Sequence, residues 1–406
     1  MPESKNQLIA GWARTEVVPP SHYPMAGYLA RMKASRGSLT SLYVRALVLQ
    51  QPSLRACIIV ADLLLISPAW AARLRKRIAA AVAVPAGNVI VAATHTHSGP
   101  LVDTAPFRFS HSEAGKRTCK FMRELEEIFV QTAVTAWRTM QPVRASYKRV
   151  QIHGLATDRN HPKKNHTQQF VLLRLKGAKS STVFGVLPCH PTALGADNLY
   201  YSGDLHGEIA RRYERQFNVA LIANGACANI STRFTRRNQT PAQMSRFAAL
   251  VMRQAETTPF HACAPGAMSI ASRSVRIPVK NFRHFQVKED ARLIGRLADV
   301  AREGRLVANQ LRLRPEFRCR SVPVSITLLS LGPLSFAAFP FELYAETGRF
   351  LWAKARTTAL CYANGYWGYV YIPEASLTGY EVISSPFAAG GDNRLREAVL
   401  SLAGKA

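Results

Sequence analysis

Two histidines follow an apolar run in the first quarter of the chain. Residues 88–100 read NVIVAATHTHSGP, and a third histidine, His190, lies in a similar setting in CHPTALG at 189–195. On an extended segment His95 and His97 would project to the same side, because side chains alternate along a strand. A lone histidine at a strand end is most often a hydrogen-bonded structural residue. A pair in this geometry, with His190 at another strand end, favours a metal site.

Two histidines and a carboxylate around an open fourth position make a hydrolytic zinc site, since zinc lowers the pKa of bound water toward about 7. Composition alone leaves the identity of that carboxylate open. Polar clusters also end apolar runs at 224–234 (NGACANISTRF) and 339–344 (FPFELY), and a loop-like aromatic stretch, YANGYWGY, occupies 362–369. Ligand sites in α/β sheets form just beyond strand ends. We therefore expect these segments to meet in one site.

The elements that would position these groups alternate along the whole chain, which is typical of an α/β fold. We expect a mixed β-sheet core flanked by helices. No internal repeat, low-complexity linker or clear boundary divides the 406 residues. A single large domain over 1–406 is therefore the prediction.

The predicted strands are short runs rich in β-branched and aliphatic residues. They cover 42–50, 56–65, 88–93, 143–152, 169–175, 182–187, 219–223, 324–331 and 334–339. The predicted helices have apolar residues at helical spacing or a Ser-Pro start. They cover 68–81, 116–137, a segment opening near Gly207, 241–256, 287–302, 343–354 and 393–402.

The charge balance is strongly basic, with 53 Lys and Arg against 25 Asp and Glu and a net charge of +28. Such a chain is attracted to anionic surfaces such as lipid head groups or nucleic acid. The basic residues occur in short scattered clusters without the aromatic-plus-basic repeat of single-strand binders. We expect much of this charge to lie on the solvated surface. The expected macroscopic partner is an anionic membrane, contacted peripherally, and a nucleic-acid partner is not expected.

Seven widely spaced cysteines include no CxxC pair, so neither a zinc ribbon nor a disulfide framework is indicated. The N-terminal segment has no apolar core of signal-peptide length, and charged or proline residues interrupt the apolar stretches elsewhere. These features favour a cytoplasmic location. Hydrophobic residues at 48% and charged residues at 19% exclude a disordered chain.

The ordered motifs resemble the catalytic domain of neutral/alkaline non-lysosomal ceramidases, from about Gly11 to Glu381. They are THTHSGP, CHPTALG with SGD at 202–204, NGACANISTRF, FPFE, and NGYWGYVYIPEA with Tyr380-Glu381 after it; the starts GWARTEVVPP and PMAGY are similar as well. The resemblance implies a zinc amidase that cuts the N-acyl bond of ceramide into a fatty acid and a sphingoid base. It does not assure that ceramide itself is the substrate.

The resemblance also implies residue roles. The implied zinc ligands are His95, His190, Glu342 and Tyr369. The implied groups that act on the substrate are His97, Arg159, Ser231 and Tyr380. Metal-activated water is the preferred nucleophile, with Ser231 as a substrate-binding hydroxyl, although a serine in this setting could simply cap a turn. Glu342 could alternatively be an acid at a helix N-terminus.

Three departures from the family pattern leave the substrate open. Phe341 stands where Gly commonly precedes the zinc-binding Glu, and it could narrow the substrate pocket. Asn229 stands where Asp is common before the serine. Family members are usually exported and carry a C-terminal β-sandwich, whereas this chain shows no signal peptide and stops soon after Glu381.

Two alternatives follow from these departures and from the charge. One is a cytoplasmic deacylase of a different N-acyl amide in a small-molecule pathway. The other, from another class, is a polyanion-binding or membrane-surface-binding protein whose site is degenerate.

Overall fold

Strands and helices alternate along the chain, as the apolar patterns predict. The computed structural model describes residues 7–102, 113–163, 166–263, 267–281, 302–307, 309, 314–377 and 379–404. The helices are α1 (Pro68–Ala81), α2 (Glu113–Arg138), α3 (Asp204–Tyr213), α4 (Pro241–Glu256), α5 (Ala345–Ala355), α6 (Tyr380–Ser384) and α7 (Gly391–Ala403). Short 3₁₀ turns cover Ala86–Asn88, Thr232–Phe234 and Pro315–Arg318.

The strands vary from two-residue pairs to runs of eleven residues. In chain order they are β1 (Ile9–Val17), β2 (Gly37–Ser38), β3 (Leu42–Gln51), β4 (Leu54–Ala61), β5 (Val89–Ala93), β6 (Gln141–Pro142), β7 (Arg144–Ile152), β8 (Thr157–Asp158), β9 (Gln168–Lys176), β10 (Ser181–Leu187), β11 (Tyr200–Tyr201), β12 (Val219–Asn224), β13 (Ile230–Ser231), β14 (His261–Ala262), β15 (Met268–Pro278), β16 (Ser321–Leu331), β17 (Leu334–Ala338), β18 (Glu342–Leu343), β19 (Thr357–Leu360) and β20 (Tyr369–Val370).

Three larger sheets carry the architecture. Their strand orders are β5-β4-β3-β1-β6, β12-β10-β9-β7-β14 and β15-β16-β17-β19. Two-residue pairs β11-β2, β13-β8 and β18-β20 connect the loops around them. Parallel and antiparallel pairings occur in each of the three large sheets. The predicted mixed α/β fold is therefore confirmed.

The central strands of the large sheets are buried on both faces. Along β4, Ile58 and Val60 enter one core, whereas Cys57 and Ile59 enter another. The first of these cores also contains side chains of β10, β12 and β17, so it lies where the three sheets meet. The second core contains the apolar faces of the helices. Alternation along a strand explains why these strands read as continuous apolar runs in the sequence.

Each large sheet is covered by a helix pair. Helices α1 and α2 pack on the first sheet, α3 and α4 on the second, and α5 and α7 on the third. The predicted amphipathic face of α2 is confirmed, since Phe121, Leu125, Phe129 and Ala133 are all buried. Among the described residues, no helix combines the length and apolar composition that a bilayer crossing requires.

Several predicted boundaries shift by a few residues. Helix α3 begins at Asp204 rather than near Gly207, and the predicted strand 56–65 is Leu54–Ala61. The helix predicted from 343 begins at Ala345, because Glu342 and Leu343 pair with β20 instead. The helix predicted over 287–302 lies almost wholly outside the described residues. The single-domain organisation stays a prediction.

Parallel pairing directs several strand ends to one edge of the sheets. Pairs β4–β5, β10–β12 and β17–β19 are all parallel, so each pair has its carboxyl ends together. The loops that follow β5, β10 and β12 are 94–100, 188–195 and 225–229, where the polar motifs lie. The fold thus positions these motifs where α/β proteins build their sites.

Close packing of α2 against β1 leads to a test of the fold. A Cβ atom added at Gly11 would lie 2.0 Å from the Ala136 carbonyl oxygen and 2.8 Å from the Met140 amide nitrogen. Because both obstacles are backbone atoms, we expect Gly11→Ala to lower the free energy of unfolding by about 3 kcal/mol or more in denaturant titrations. Gly87→Ala is the control, since nothing lies within 4 Å of its added Cβ. Equal stability of the two variants would contradict this packing.

Candidate active site and metal centre

Three imidazole rings converge at the ends of β5 and β10. The ligand atoms of His95, His97 and His190 all lie within 4.8 Å of one another. The Nε2 atoms of His95 and His97 are 3.4 Å apart. A carboxylate joins them, because Oε2 of Glu342 lies 3.6 Å from His95 Nε2 and 3.3 Å from His190 Nε2. The three histidines singled out in the sequence and Glu342 therefore form one cluster.

The outer ring nitrogens of His95 and His190 are held by backbone carbonyls. His95 Nδ1 donates to Leu64 O at 2.8 Å, and His190 Nδ1 donates to Cys227 O at 3.0 Å. These bonds fix the tautomers, so each ring can present the lone pair of Nε2 to the centre of the cluster. Ligands around a tetrahedral zinc ion lie roughly 3.3–3.6 Å from one another, given bonds of about 2.0–2.2 Å. The spacing and the donor types fit zinc.

Burial and mutual charge set the protonation of the cluster. Burial lowers the pKa of His95 to about 4 and the pKa of His97 well below its usual value, so both rings are neutral at pH 7. Burial alone would raise the pKa of Glu342, but His95 and His190 outweigh it and hold the carboxyl ionised. Burial would lower the pKa of His190, yet Cys227 and Glu342 raise it to about 10. A proton and a metal ion therefore compete for His190 Nε2.

The expectation that His95 and His97 lie on an extended segment is wrong. Strand β5 ends at Ala93, and His95 has a φ of +66°, in the left-handed region. The two rings meet at 87° with centroids 4.9 Å apart, rather than lying side by side as on a strand. The bond from His95 to Leu64 and the turn in which Ser98 N donates to Thr96 Oγ1 account for this geometry.

A short parallel pair brings Glu342 beside Tyr369. These residues are direct partners in the pairing of β18 with β20. Directly paired residues point to the same face of a sheet, so both side chains face the cluster. Glu342 is buried in a strand, three residues before α5 begins. It is therefore not an acid at a helix N-terminus, which was the alternative prediction.

Two tyrosines that the sequence analysis did not select contact the same carboxylate. The Tyr366 hydroxyl donates to Glu342 Oε1, and the Tyr362 hydroxyl donates to Oε2 at 3.2 Å. The Tyr362 ring also stacks on His95, with centroids 4.0 Å apart. The sequence did indicate an aromatic loop through the tyrosines of YANGYWGY. It could not predict the left-handed backbone at Tyr362 and Asn364.

Arg159 lies in a second cluster next to the first. Its guanidinium pairs with Glu381, donates to the Tyr369 hydroxyl at 3.3 Å and lies 5.3 Å from the Tyr380 ring centroid. The rings of Tyr369 and Tyr380 are themselves in edge contact. Only 16% of the Arg159 side chain is exposed, so it is not an ordinary solvated surface arginine. Tyr369 joins this cluster to Glu342.

Ser231 lies beside His190 through an isolated parallel bridge. Its hydroxyl accepts a bond from Arg233 N at 3.2 Å, at the start of the 3₁₀ turn Thr232–Phe234. Thr192 Oγ1 is 3.5 Å from the same hydroxyl. The alternative that this serine caps a turn therefore has direct structural support.

Both residues that depart from the family pattern have defined partners. Phe341 is fully buried and packs edge-on against Phe387, with centroids 5.4 Å apart, so its ring lies in the core. Asn229 Nδ2 donates to Asp158 Oδ2 at 3.0 Å and to Glu346 Oε2 at 3.1 Å. The side-chain amide of Asn229 thus lies between the carboxylates of Asp158 and Glu346 and bonds to both.

Other buried polar groups hold the loops that carry the histidines. The Asp204 carboxylate accepts bonds from the amides of Ala193 and Leu194, just after His190, and burial raises the pKa of Asp204 to about 6. Arg31 donates to the carbonyls of His97 and Gly195. The Tyr28 ring lies 5.0 Å from the His97 ring. The PMAGY stretch therefore supports His97.

A buried polar site at the carboxyl ends of parallel strands is typical of α/β enzymes. The chain belongs to the neutral/alkaline non-lysosomal ceramidase family: the family model described as "Neutral/alkaline non-lysosomal ceramidase, N-terminal" matches residues 11–240. That match contains the motifs of His95, His97, Arg159, His190 and Ser231. Glu342, Tyr369 and Tyr380 lie beyond it, and all these residue roles stay predictions.

Two solved structures share the fold. One, described as "Ceramidase complexed with C2", has a TM-score of 0.73 and 16% identity over 98% of this chain and 76% of that chain. The other, a neutral ceramidase from Pseudomonas aeruginosa, has a TM-score of 0.73 and 17% identity over 99% and 75%. A search of curated protein sequences found no match. Family membership supports a ceramidase-like hydrolase.

The contacts of Asn229 generate a test of the site's support. An aspartate there could not donate, and it would place three carboxylates together with Asp158 and Glu346. We expect Asn229→Asp to lower the free energy of unfolding by about 2–4 kcal/mol at pH 7. The loss should shrink as the pH falls, because a carboxyl group that regains a proton can donate again. Denaturant titrations at pH 5 and pH 7 measure both effects.

The matched control is Asn238→Asp. Asn238 is exposed, and its Oδ1 accepts from the Thr240 hydroxyl, a role that a carboxylate can also fill. A loss in Asn229→Asp no larger than in this control would contradict the donor role of Asn229.

Proposed function

We propose that the protein is a zinc-dependent amide hydrolase that cleaves the N-acyl bond of ceramide, or of a closely related N-acyl amide, into a carboxylic acid and an amine. The observation that carries the proposal is that Oε2 of Glu342 lies within 3.6 Å of the Nε2 atoms of both His95 and His190, in a chain of the ceramidase family. Two histidines and a glutamate also hold the catalytic zinc of metallopeptidases, which hydrolyse amide bonds.

The metal would be held by His95, His190 and Glu342, with Tyr369 as a phenolic fourth ligand. When bound there, zinc supplies Lewis acidity that lowers the pKa of water toward 7 and polarises a carbonyl.

The carbonyls of Leu64 and Cys227 orient the two imidazoles, and the hydroxyls of Tyr362 and Tyr366 orient the carboxylate. This support fixes the ligand atoms before a substrate arrives.

Arg159 and Tyr380 would bind the oxygen of the substrate amide. Negative charge develops on that oxygen as the amide carbon becomes tetrahedral, and donors fixed in advance stabilise it by roughly 3–4 kcal/mol each. Glu381 holds the Arg159 guanidinium in place, and the Tyr380 ring packs against it. Both donors lie next to Tyr369, which pairs with Glu342, so they are close to the proposed metal site.

His97 would move the proton. Its ring is neutral at pH 7, so Nε2 can accept a proton from the attacking water. The same low pKa makes the protonated ring a ready donor to the leaving amine nitrogen. Ser231 would bind substrate rather than attack it, because its hydroxyl is engaged in capping the turn at Arg233.

Exposed apolar side chains near the site support peripheral contact with an anionic membrane. Met32 is 89% exposed and follows Arg31, which bonds to His97 O, and the exposed Phe234 ends the turn that Ser231 caps. The net charge of +28 would attract such a surface. Contact there would present a lipid amide close to the histidine cluster. The cytoplasmic location stays a prediction.

The proposed ligand roles separate the two neighbouring histidines. We expect His95→Ala to lose stoichiometric zinc and amide hydrolysis, because it removes a ligand. We expect His97→Ala to keep zinc and to lose about 10²–10⁴-fold in rate, because it removes the proton carrier. Metal content by mass spectrometry and turnover of N-acylsphingosine measure these outcomes. His153→Ala, which changes an exposed histidine, is the control. Activity of His95→Ala equal to the parent protein would overturn the proposal.

The substrate class is tested by comparing N-acylsphingosine in neutral vesicles, N-acylsphingosine in vesicles with anionic lipid, and short N-acyl amines in solution. We expect the fastest hydrolysis in anionic vesicles, and we expect added salt to remove that advantage, because salt screens the attraction. Hydrolysis of the short N-acyl amines without hydrolysis of N-acylsphingosine would instead support the deacylase alternative. Equal rates in neutral and anionic vesicles would contradict the membrane contact.

A further inference from the structure

A cleft of about 540 Å³ lies between β1, β3 and α3, and it is separate from the histidine cluster. Four arginines line it, with Glu214 as its acidic member: Arg14, Arg45, Arg211 and Arg215. The hydroxyl residues Thr40 and Ser41 line it as well. No residue of the proposed catalytic or metal-binding set contributes to its walls.

The arginines on one wall are ordered before any ligand binds. Arg14 and Arg45 lie over the Tyr43 ring, each 4.8 Å from its centroid. Both also pair with Glu214, and Arg45, which is 2% exposed, pairs in addition with Asp62 at 2.8 Å. Fixed guanidinium groups lose little entropy when they bind a ligand. This wall is therefore preorganised.

The other wall, formed by the end of α3 and the residues just after it, carries the excess charge. Arg211 shares Glu208 with Arg212, both through bonds of 2.8 Å. Arg215 is exposed and has no acidic partner among the described residues. The lining arginines and their ion-pair network comprise five arginines, counting Arg212 behind the wall, and three acids (Glu214, Asp62 and Glu208), which leaves a local charge of +2. The cleft is thus concave, polar and positively charged.

We propose that this cleft binds a phosphate monoester, through the guanidinium groups of Arg211 and Arg215 on one side and Arg14 on the other, with the hydroxyl of Ser41 as a further donor. The planar guanidinium fork matches two phosphate oxygens at once, and hydroxyl groups satisfy the remaining lone pairs. The volume lies within the range of sites for small organic ligands and exceeds the need of a bare ion. The ligand is therefore a phosphorylated small molecule or the phosphomonoester head group of a lipid.

The test uses the complete protein and a double variant, Arg211→Gln/Arg215→Gln. Binding of glycerol 3-phosphate, a soluble phosphate monoester, is measured by isothermal titration at constant ionic strength set with chloride. We expect the double variant to weaken the affinity at least about tenfold, because it removes two guanidinium groups that make charge-assisted bonds to the phosphate. Binding should also raise the thermal midpoint of the parent protein by linkage.

The matched control is Arg246→Gln/Arg253→Gln, which removes the same charge from exposed positions on α4. We expect the control to bind glycerol 3-phosphate like the parent protein. Equal weakening in both double variants would show a diffuse effect of net charge and would overturn the site. So would undiminished binding by Arg211→Gln/Arg215→Gln, or the absence of binding to the parent protein. Thermal midpoints without ligand show whether each variant is folded.

Vesicles distinguish the two sources of the phosphate. Sedimentation with phosphatidate vesicles is compared with sedimentation with phosphatidylglycerol vesicles, which are anionic but present a diester. A preference for phosphatidate that is lost in Arg211→Gln/Arg215→Gln supports a lipid head group as the ligand. Glycerol 3-phosphate binding without that preference supports a soluble phosphate monoester. Hydrolysis of amides by the variants separates this proposal from the proposed function, since the cleft contains none of the catalytic residues.

Discussion

The side-chain amide of Asn224 ties together the strand ends on which the site depends. Its Nδ2 donates to Thr94 O and Cys189 O, the carbonyls just before His95 and His190, and its Oδ1 accepts from Gly225 N. Its own carbonyl accepts from Cys361 N at the end of β19. Asn224 is fully buried, so every one of these bonds replaces one that water would otherwise make. One residue that neither loop contains therefore bridges the two loops that carry His95 and His190.

The rest of the site extends the same principle. Loops that are far apart in the sequence are joined by buried polar side chains rather than by apolar packing alone: Asp204 for the loop after His190, Arg31 for the turn after His97, and Tyr366 for Glu342. Such groups are costly to bury unless they are fully bonded, so each bond restricts its loop to one position. This preorganisation is what a metal ion and an oxyanion require, since neither tolerates donors that must first rearrange.

The sequence predicted the parts of the molecule that follow from local pattern. Strand and helix positions, the α/β class and the meeting of His95, His97 and His190 could be inferred, because apolar periodicity and strand-end polarity are local signals. The geometry of His95 could not, since its left-handed backbone depends on Leu64, thirty-one residues earlier. Tyr362 and Tyr366 were missed for a similar reason, because their contact with Glu342 depends on how β18 and β20 pair. The core position of Phe341 likewise depends on Phe387, which no local pattern connects to it.

The two residues that depart from the family pattern both lie on segments that lead to candidate site residues. Phe341 fills space against Phe387 in the core, on the chain segment that leads to Glu342, so its bulk is taken up by core packing. Asn229 carries no charge, yet its side chain donates to Asp158 and Glu346 and accepts from the amide of Ala345.

Asp158 precedes Arg159, and Ala345 begins α5 just after Glu342. Both substitutions thus act on the segments that position Arg159 and Glu342, and in both cases local partners compensate for the changed side chain.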